Sequence, residues 1–304
     1  METLLELDIT KAAEFEEYIK KGGVVDATDP MPAGYRQAIA KVVGFQMLAE
    51  VVGETLFSEW LDKIPGLKRK MILTAKCQDE LGHAQVLARV VEDLGVSRRQ
   101  LYHDYVDGKI KLLNAFHYEF ESWPEVGIAA LLQNSAAIVQ FQSLVKGSYY
   151  PYTRALQKIM REESFHYHQA IDLCETVWES GNSWARSEMQ RGLNKWFPIM
   201  LAYFGPPDKE KTNQQNMIWR IKVDFNDDLR QRWVEKIVPV VRSLGLEFED
   251  PNLKKHDDGT WSFTMPDWEE VKYIIQGNGP ASNKRLAIIK ARLEDELWLA
   301  EAVG

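Results

Sequence analysis

Cysteine is nearly absent: Cys77 and Cys174 are the only two among 304 residues. Two thiols are too few for a disulfide framework or a cysteine-ligated cluster. Positive charge is in deficit, with 37 Lys and Arg against 45 Asp and Glu and a formal net charge of −8. No long basic run occurs, which argues against a nucleic-acid footprint, although a local basic cluster can still bind a phosphorylated ligand. The opening Met1 to Asp8 is acidic and lacks the basic start of a secretory signal, so a reducing cytoplasm is the expected home. One long uncharged run exists, the twenty residues Val126 to Val145. Its length matches a membrane span, but Gln133, Asn134, Ser135, Gln140, Gln142 and Ser143 make it too polar for one. It reads instead as a buried bundle helix, with no membrane partner. No solenoid-type repeat is found.

What is present is the composition of a soluble globular chain, 45 % apolar and 27 % charged. The length suits one large helical domain or one domain with an appendage. Two short stretches organise it, Asp79-Glu80-Leu81-Gly82-His83 and Glu162-Glu163-Ser164-Phe165-His166. Each contains Glu-x-x-His, and positions three apart share one face of a helix, so each Glu and His can address one target. One such pair arises easily by chance. Two, each inside a long apolar helical pattern, predict an all-α four-helix bundle holding two metal ions between carboxylates and imidazoles. That architecture requires one further carboxylate from each of two more helices.

Residues 9 to 21 read as a short amphipathic helix, and Pro30 and Pro32 break the chain after it. The first long helix is expected from about Tyr35 to Leu61. Between Ala38 and Phe57 its only charges are Lys41, Glu50 and Glu54. Glu50 lies among Leu48, Ala49, Val51 and Val52, where an unpartnered carboxylate would be costly or protonated. It is the candidate ligand of this helix, and Glu54 is read as surface-exposed. Pro65-Gly66 makes a turn, and the second helix, Leu67 to Gly95, carries Glu80 and His83. Glu50 and Glu80 are 30 residues apart, which suits an antiparallel pair with both carboxylates at one depth.

Residues 97 to 108 form a short helix, and Lys109 to Trp123 an aromatic-rich connection. The third long helix runs from about Pro124 to Lys146, and the fourth from about Tyr152 to Glu179, carrying Glu163 and His166. His168 is two residues beyond His166 and points elsewhere. The two helix pairs look like duplicated halves of one motif. The third helix should supply the fourth carboxylate 29 or 30 residues before Glu163, yet that window holds Gln133 and Asn134. Beyond Gly181 the chain stays helical, except where Asp258-Gly259 between short runs signals a β-hairpin. Pro266-Asp267 starts another helix, and Ser282 to Val303 reads as a final amphipathic one. The division expected is an N-terminal extension (1–34), a ferritin-like bundle (35–180) and a C-terminal helical extension packed on it (181–304), within one structural domain.

Iron and manganese in oxygen-activating sites take carboxylate and imidazole ligands with open positions. Four carboxylates would balance two divalent ions inside an apolar bundle. Asp79 and Glu162 immediately precede the ligand candidates Glu80 and Glu163. Each is placed to orient the histidine of the opposite helix through its ring N–H, or else forms a rim salt bridge.

The set of motifs resembles one family, the catalytic subunit of the multicomponent phenylacetyl-CoA epoxidase, also called ring-1,2-epoxidase or phenylacetyl-CoA monooxygenase. The resemblance rests on Ala49-Glu50-Val51-Val52-Gly53, Lys76-Cys77-Gln78-Asp79-Glu80-Leu81-Gly82-His83 and Ser135-Ala136-Ala137-Ile138-Val139. It continues through Ser148-Tyr149-Tyr150-Pro151-Tyr152, Glu162-Glu163-Ser164-Phe165-His166, Phe204-Gly205-Pro206 and Asn226-Asp227-Asp228-Leu229-Arg230-Gln231-Arg232. It implies a cytoplasmic di-iron oxygenase that epoxidises the aromatic ring of an acyl-CoA thioester, phenylacetyl-CoA first. The cofactors implied are two iron ions, with manganese or a mixed pair as the alternative. Dioxygen is the oxidant, and NADPH supplies electrons through a separate reductase subunit. The other partners implied are a small coupling subunit, together with a metal-free bundle subunit. By the same resemblance Glu50, Glu80, His83, Glu163 and His166 are catalytic ligands. Asn134 stands where the family has Asp, so the sixth ligand position holds a neutral amide. Lys68, Arg69, Lys70 and Lys76 are implied as contacts for the CoA phosphates, against the plain reading of a solvated basic face. The alternatives are a divergent ferritin-like oxidase or desaturase with an altered metal site or substrate, and a non-catalytic scaffold protein. Retention of five ligand candidates disfavours the scaffold.

Overall fold

The computed structural model describes residues 11–210 and 215–303, the side chains of 210 and 295–303 excepted. Four long helices frame the site: α2 (Ala33–Ser58), α3 (Leu67–Asp93), α5 (Trp123–Leu144) and α6 (Tyr150–Glu179). They pack as two antiparallel pairs, α2 with α3 and α5 with α6, and α3 faces α6 across the bundle. Before them lies α1 (Ala12–Lys20), and α4 (Arg98–Val106) follows α3. The C-terminal half contributes α7 (Ser183–Leu201), α8 (Gln215–Ile218), α9 (Asn226–Ser243), α10 (Trp268–Tyr273) and α11 (Ser282–Val303). Lys254–Lys255 (β1) pairs antiparallel with Trp261–Ser262 (β2) around Asp258-Gly259, the hairpin expected. This is an all-α, ferritin-like bundle with added C-terminal helices.

Local chemistry sets the helix ends. Gly66 (φ +81°) turns the chain into α3 after Pro65, and Gly95 (φ +90°) takes the left-handed conformation just past its end. Ser97, Ser122 and Asn182 each accept a backbone N–H at the start of α4, α5 and α7. Helices α4 and α6 begin one and two residues from their expected starts. The Lys109–Trp123 connection is ordered by a 3₁₀ turn at Asn114–His117. There His117 pairs with Ser282 Oγ at 2.6 Å, tying the connection to the start of α11. The expected helix 9–21 is α1, with residues 9 and 10 outside the described ones; Met1 to Asp8 also lies outside them.

Helix α5, uncharged beyond its first turn, is the centre of the core, touching α6, α7 and α9. Its buried Ser135 is paired twice: Oγ donates to the Leu132 carbonyl at 2.8 Å and accepts from Trp233 Nε1 at 2.8 Å. At its first turn the fully buried Glu125 accepts from Lys195 at 2.8 Å, Arg191 at 3.1 Å and Trp196 at 2.8 Å, all on α7. A buried carboxylate persists where its lone pairs are filled in this way. Among the described residues no helix is long and apolar enough to cross a membrane.

One expectation fails here. Glu54 is buried, with 4 % of its surface exposed, and accepts from Arg292 Nη2 at 3.0 Å. The sequence shows the spacing from Glu50 but not that α11 covers this face of α2 and brings a guanidinium to it.

Candidate metal centre

Glu50 projects from α2, Glu80 and His83 from α3, Asn134 from α5, and Glu163 and His166 from α6. All six are buried, at 8 % exposure or less. Glu50, Glu80, His83 and Glu163 each bring one ligand atom within 4.8 Å of the other three. His83 Nδ1 lies 3.7 Å from Glu50, 3.5 Å from Glu80 and 3.7 Å from Glu163. His166 Nδ1 lies 3.6 Å from Glu80 and 3.8 Å from Glu163. Glu80 and Glu163 thus stand between the two imidazoles, whose ring centroids are 6.2 Å apart.

The outward face of each imidazole is tied across the bundle. His83 on α3 donates from Nε2 to Glu162 of α6 at 2.9 Å, and His166 on α6 donates from Nε2 to Asp79 of α3 at 3.0 Å. A carboxylate only accepts, so each Nε2 carries a proton, and Nδ1, turned inward, is left to take either a second proton or a metal ion. Both Nδ1 atoms are buried without a hydrogen-bond partner. Ligands about 2.1 Å from one ion lie about 3.0–3.4 Å apart, close to the spacing here. Orphaned imidazole nitrogens facing carboxylate oxygens at that spacing fit a metal cation.

The electrostatics agree. Burial pushes the Glu50 carboxyl up to about 8, against the opposing pull of His83. Burial also works to lower the His83 imidazole, but Glu50 and Glu80 outweigh it and raise it to about 11. The cluster draws positive charge to itself. Burial works to raise Glu80, yet Lys76 foremost, then the two imidazoles, holds it well below the usual carboxylate range.

Lys76 differs from the reading as a CoA contact. It is 7 % exposed, and its ammonium donates to Glu80 Oε1 and, at 3.3 Å, to Asn134 Oδ1. It also sits over the Phe57 ring, 4.7 Å from the centroid. Burial disfavours its charge, but Glu80, then Glu163 and Glu50, hold its pKa above the ordinary value. A basic-run reading could not separate it from Lys68, Arg69 and Lys70; spacing could have, since Lys76 lies one turn before Glu80 on the same face. Of the other three, Lys68 is exposed. Arg69 pairs with Asp172 at 2.5 Å and Thr176 at 2.7 Å, and Lys70 with Asp62 at 3.1 Å. His168 points outward and bonds the Ser164 carbonyl at 2.6 Å.

Two site residues escaped sequence reasoning. Gln46, one turn before Glu50, donates to Glu50 Oε1 at 3.2 Å, and Tyr152 in turn donates to Gln46 Oε1. The relay joins α6 to α2, and only its i, i+4 half was visible in the chain. Beside the cluster lies a cavity of about 330 Å³. Phe45, Phe57, Phe116, Phe141 and Tyr203 form much of its wall, and Glu50, Glu80, Asn134 and Glu163 also line it. Such a site can hold a flat apolar group against buried acidic ligands.

The model of the family described as phenylacetic acid catabolic protein matches residues 5–298. The chain is 35 % identical over 297 residues to one of the subunits of the 1,2-phenylacetyl-CoA epoxidase of Escherichia coli (strain K12). That alignment covers 97 % of this chain and 96 % of the relative.

Proposed function

The chain belongs to the phenylacetic acid catabolic protein family, and on that premise we propose that it is the catalytic subunit of a di-iron monooxygenase acting on phenylacetyl-CoA or a closely related acyl-CoA. One observation carries the reading: three carboxylates of the buried Glu50, Glu80, His83, Glu163 cluster, Glu50, Glu80 and Glu163, line an aromatic-walled cavity. Glu50, Glu80, His83, Glu163 and His166 hold the metal, with Asn134 at the remaining position. Asp79 and Glu162 fix the imidazole tautomers, which keeps both Nδ1 lone pairs directed inward. Iron bound there supplies the reduction of dioxygen that places one oxygen atom on the ring, with NADPH as the outer electron source through a reductase subunit. The phenylalanine walls exclude water and hold the ring flat beside the lining carboxylates. Gln46 and Tyr152 keep Glu50 turned toward the cavity. Lys68, Arg69 and Lys70, at the start of α3, are the proposed contacts for the CoA phosphates. A small coupling subunit, together with a metal-free bundle subunit, completes the assembly, in a cytoplasmic setting. The bundle (35–180) and its extensions (1–34 and 181–304) are proposed to form one folding unit. Trp233 bonding α5 and Arg292 bonding α2 support this.

A second reading, a related oxidase with an altered metal pair, draws on Asn134, an amide where the family has a carboxylate. The test is anaerobic iron loading of the chain with its partner subunits, then turnover with dioxygen on a panel of acyl-CoA esters. The expected result is a gain of one oxygen atom by the aromatic acyl group, abolished in Glu80→Ala. Absence of oxygenated product from every ester, with iron bound, would refute the oxygenase.

A further inference from the structure

The two halves of the metal pocket are not equivalent. The half built on His83 has three carboxylates around one imidazole nitrogen, at 3.5–3.7 Å. The half built on His166 shares Glu80 and Glu163 but has no carboxylate of its own. Its helix α5 offers Asn134, and the oxygen of that amide is already engaged by Lys76. An ammonium only donates, so the contact identifies Oδ1 as the atom facing Lys76 and leaves Nδ2 on the other side. Nδ2 is buried without a partner and cannot ligate a cation. Lys76 also takes Glu80 Oε1, the oxygen nearest His166 Nδ1. The ammonium is therefore lodged among the donors a second metal ion would need, and the Phe57 face holds it there.

Charge points the same way. With a divalent ion coordinated, the negative charge of the three ligand carboxylates, Glu50, Glu80 and Glu163, is balanced by that ion and one ammonium. A second divalent ion beside Lys76 leaves the buried pocket with a surplus of two positive charges, which is costly in an apolar interior.

Building on the metal reading above, we propose that the pocket takes two unlike cations: a metal ion in the Glu50–His83 half and the Lys76 ammonium in the Asn134–His166 half. A second metal ion enters only by displacing Lys76. Occupancy is sequential, and Lys76 with Asn134 sets the gap between the two affinities.

The test is anaerobic Mn(II) binding to the full chain by equilibrium dialysis, with electron paramagnetic resonance on the same samples. In the native chain one ion is expected to bind tightly, with an isolated-ion spectrum, and the second at least about tenfold more weakly. In Lys76→Met and Lys76→Gln the second ion should gain at least about tenfold in affinity, and the spectrum should become that of a coupled pair. Circular dichroism reports whether each variant is folded. Two ions of equal affinity in the native chain would overturn the unlike-cation pocket while leaving the metal reading intact. So would a folded Lys76 variant whose second affinity is unchanged. No bound ion in the folded native chain would overturn both.

Discussion

Removing the carboxylate behind one imidazole probes the metal centre without touching a ligand. In Glu162→Ala the Nε2–H of His83 loses its acceptor at 2.9 Å. A hydrogen bond to a charged group is worth about 1.5–3 kcal/mol. Loss of such an outer partner costs about 10–100-fold in metal affinity. Two features place the effect at the lower end. Glu162 keeps 30 % of its side-chain surface exposed, so water reaches the vacated position. It also shares its charge with Lys158 at 3.2 Å. The expectation is a loss of about tenfold, about 1.4 kcal/mol, and a smaller loss in Glu162→Gln, whose amide oxygen still accepts. Asp79→Ala removes the matching contact to His166 at 3.0 Å, with Asp79 31 % exposed. If the halves are unequal, Glu162→Ala weakens the first ion and Asp79→Ala the second. Mn(II) dialysis on folded variants reads both. An affinity in Glu162→Ala within about twofold of the native chain would refute the argument that this carboxylate orients a ligand.

Two further outcomes follow from the packing. Burial, with Lys111 and Arg285 adding, lowers the His117 imidazole from 6.5 to about 4. The unfolded chain therefore takes up a proton near pH 6.5 that the folded chain refuses. The stability is complete above about 6.5 and is lost as pH falls toward 4, at most about 3 kcal/mol. Denaturant midpoints from pH 7 to 4.5 should fall more steeply in the native chain than in His117→Asn; parallel curves would contradict the assignment. In Gly192→Ala the new methyl would stand 2.7 Å from Ile128 Cγ2 and 3.1 Å from Glu125 Cα, forcing α7 off α5. The expected destabilisation is about 1–3 kcal/mol, read by thermal melting, and an unchanged melt would show that α7 can yield.

The long helices and the facing Glu-x-x-His pairs were legible because a helix imposes one spacing on everything it displays. Glu50 stood out as a charge flanked by apolar residues on both sides, and Asn134 as an amide where a carboxylate was due. The hairpin was readable from Asp258-Gly259 for the same reason, since the turn depends on adjacent residues. Lys76 and Glu54 were misplaced, one read as a surface contact and one as exposed. Their burial is decided by α5 and α11, far away along the chain.

Sequence alone determined which side chains share a helix face, because that follows from 3.6 residues per turn. Tertiary structure decided what each face meets. It turned Asp79 and Glu162 onto the histidines of the opposite helix, linked Tyr152 through Gln46 to Glu50, and lodged the Lys76 ammonium between Glu80 and Asn134. These partners are 58 to 106 residues apart, except where one helical turn joins them. No local rule carries a contact over that distance; the close packing of α2, α3, α5 and α6 does.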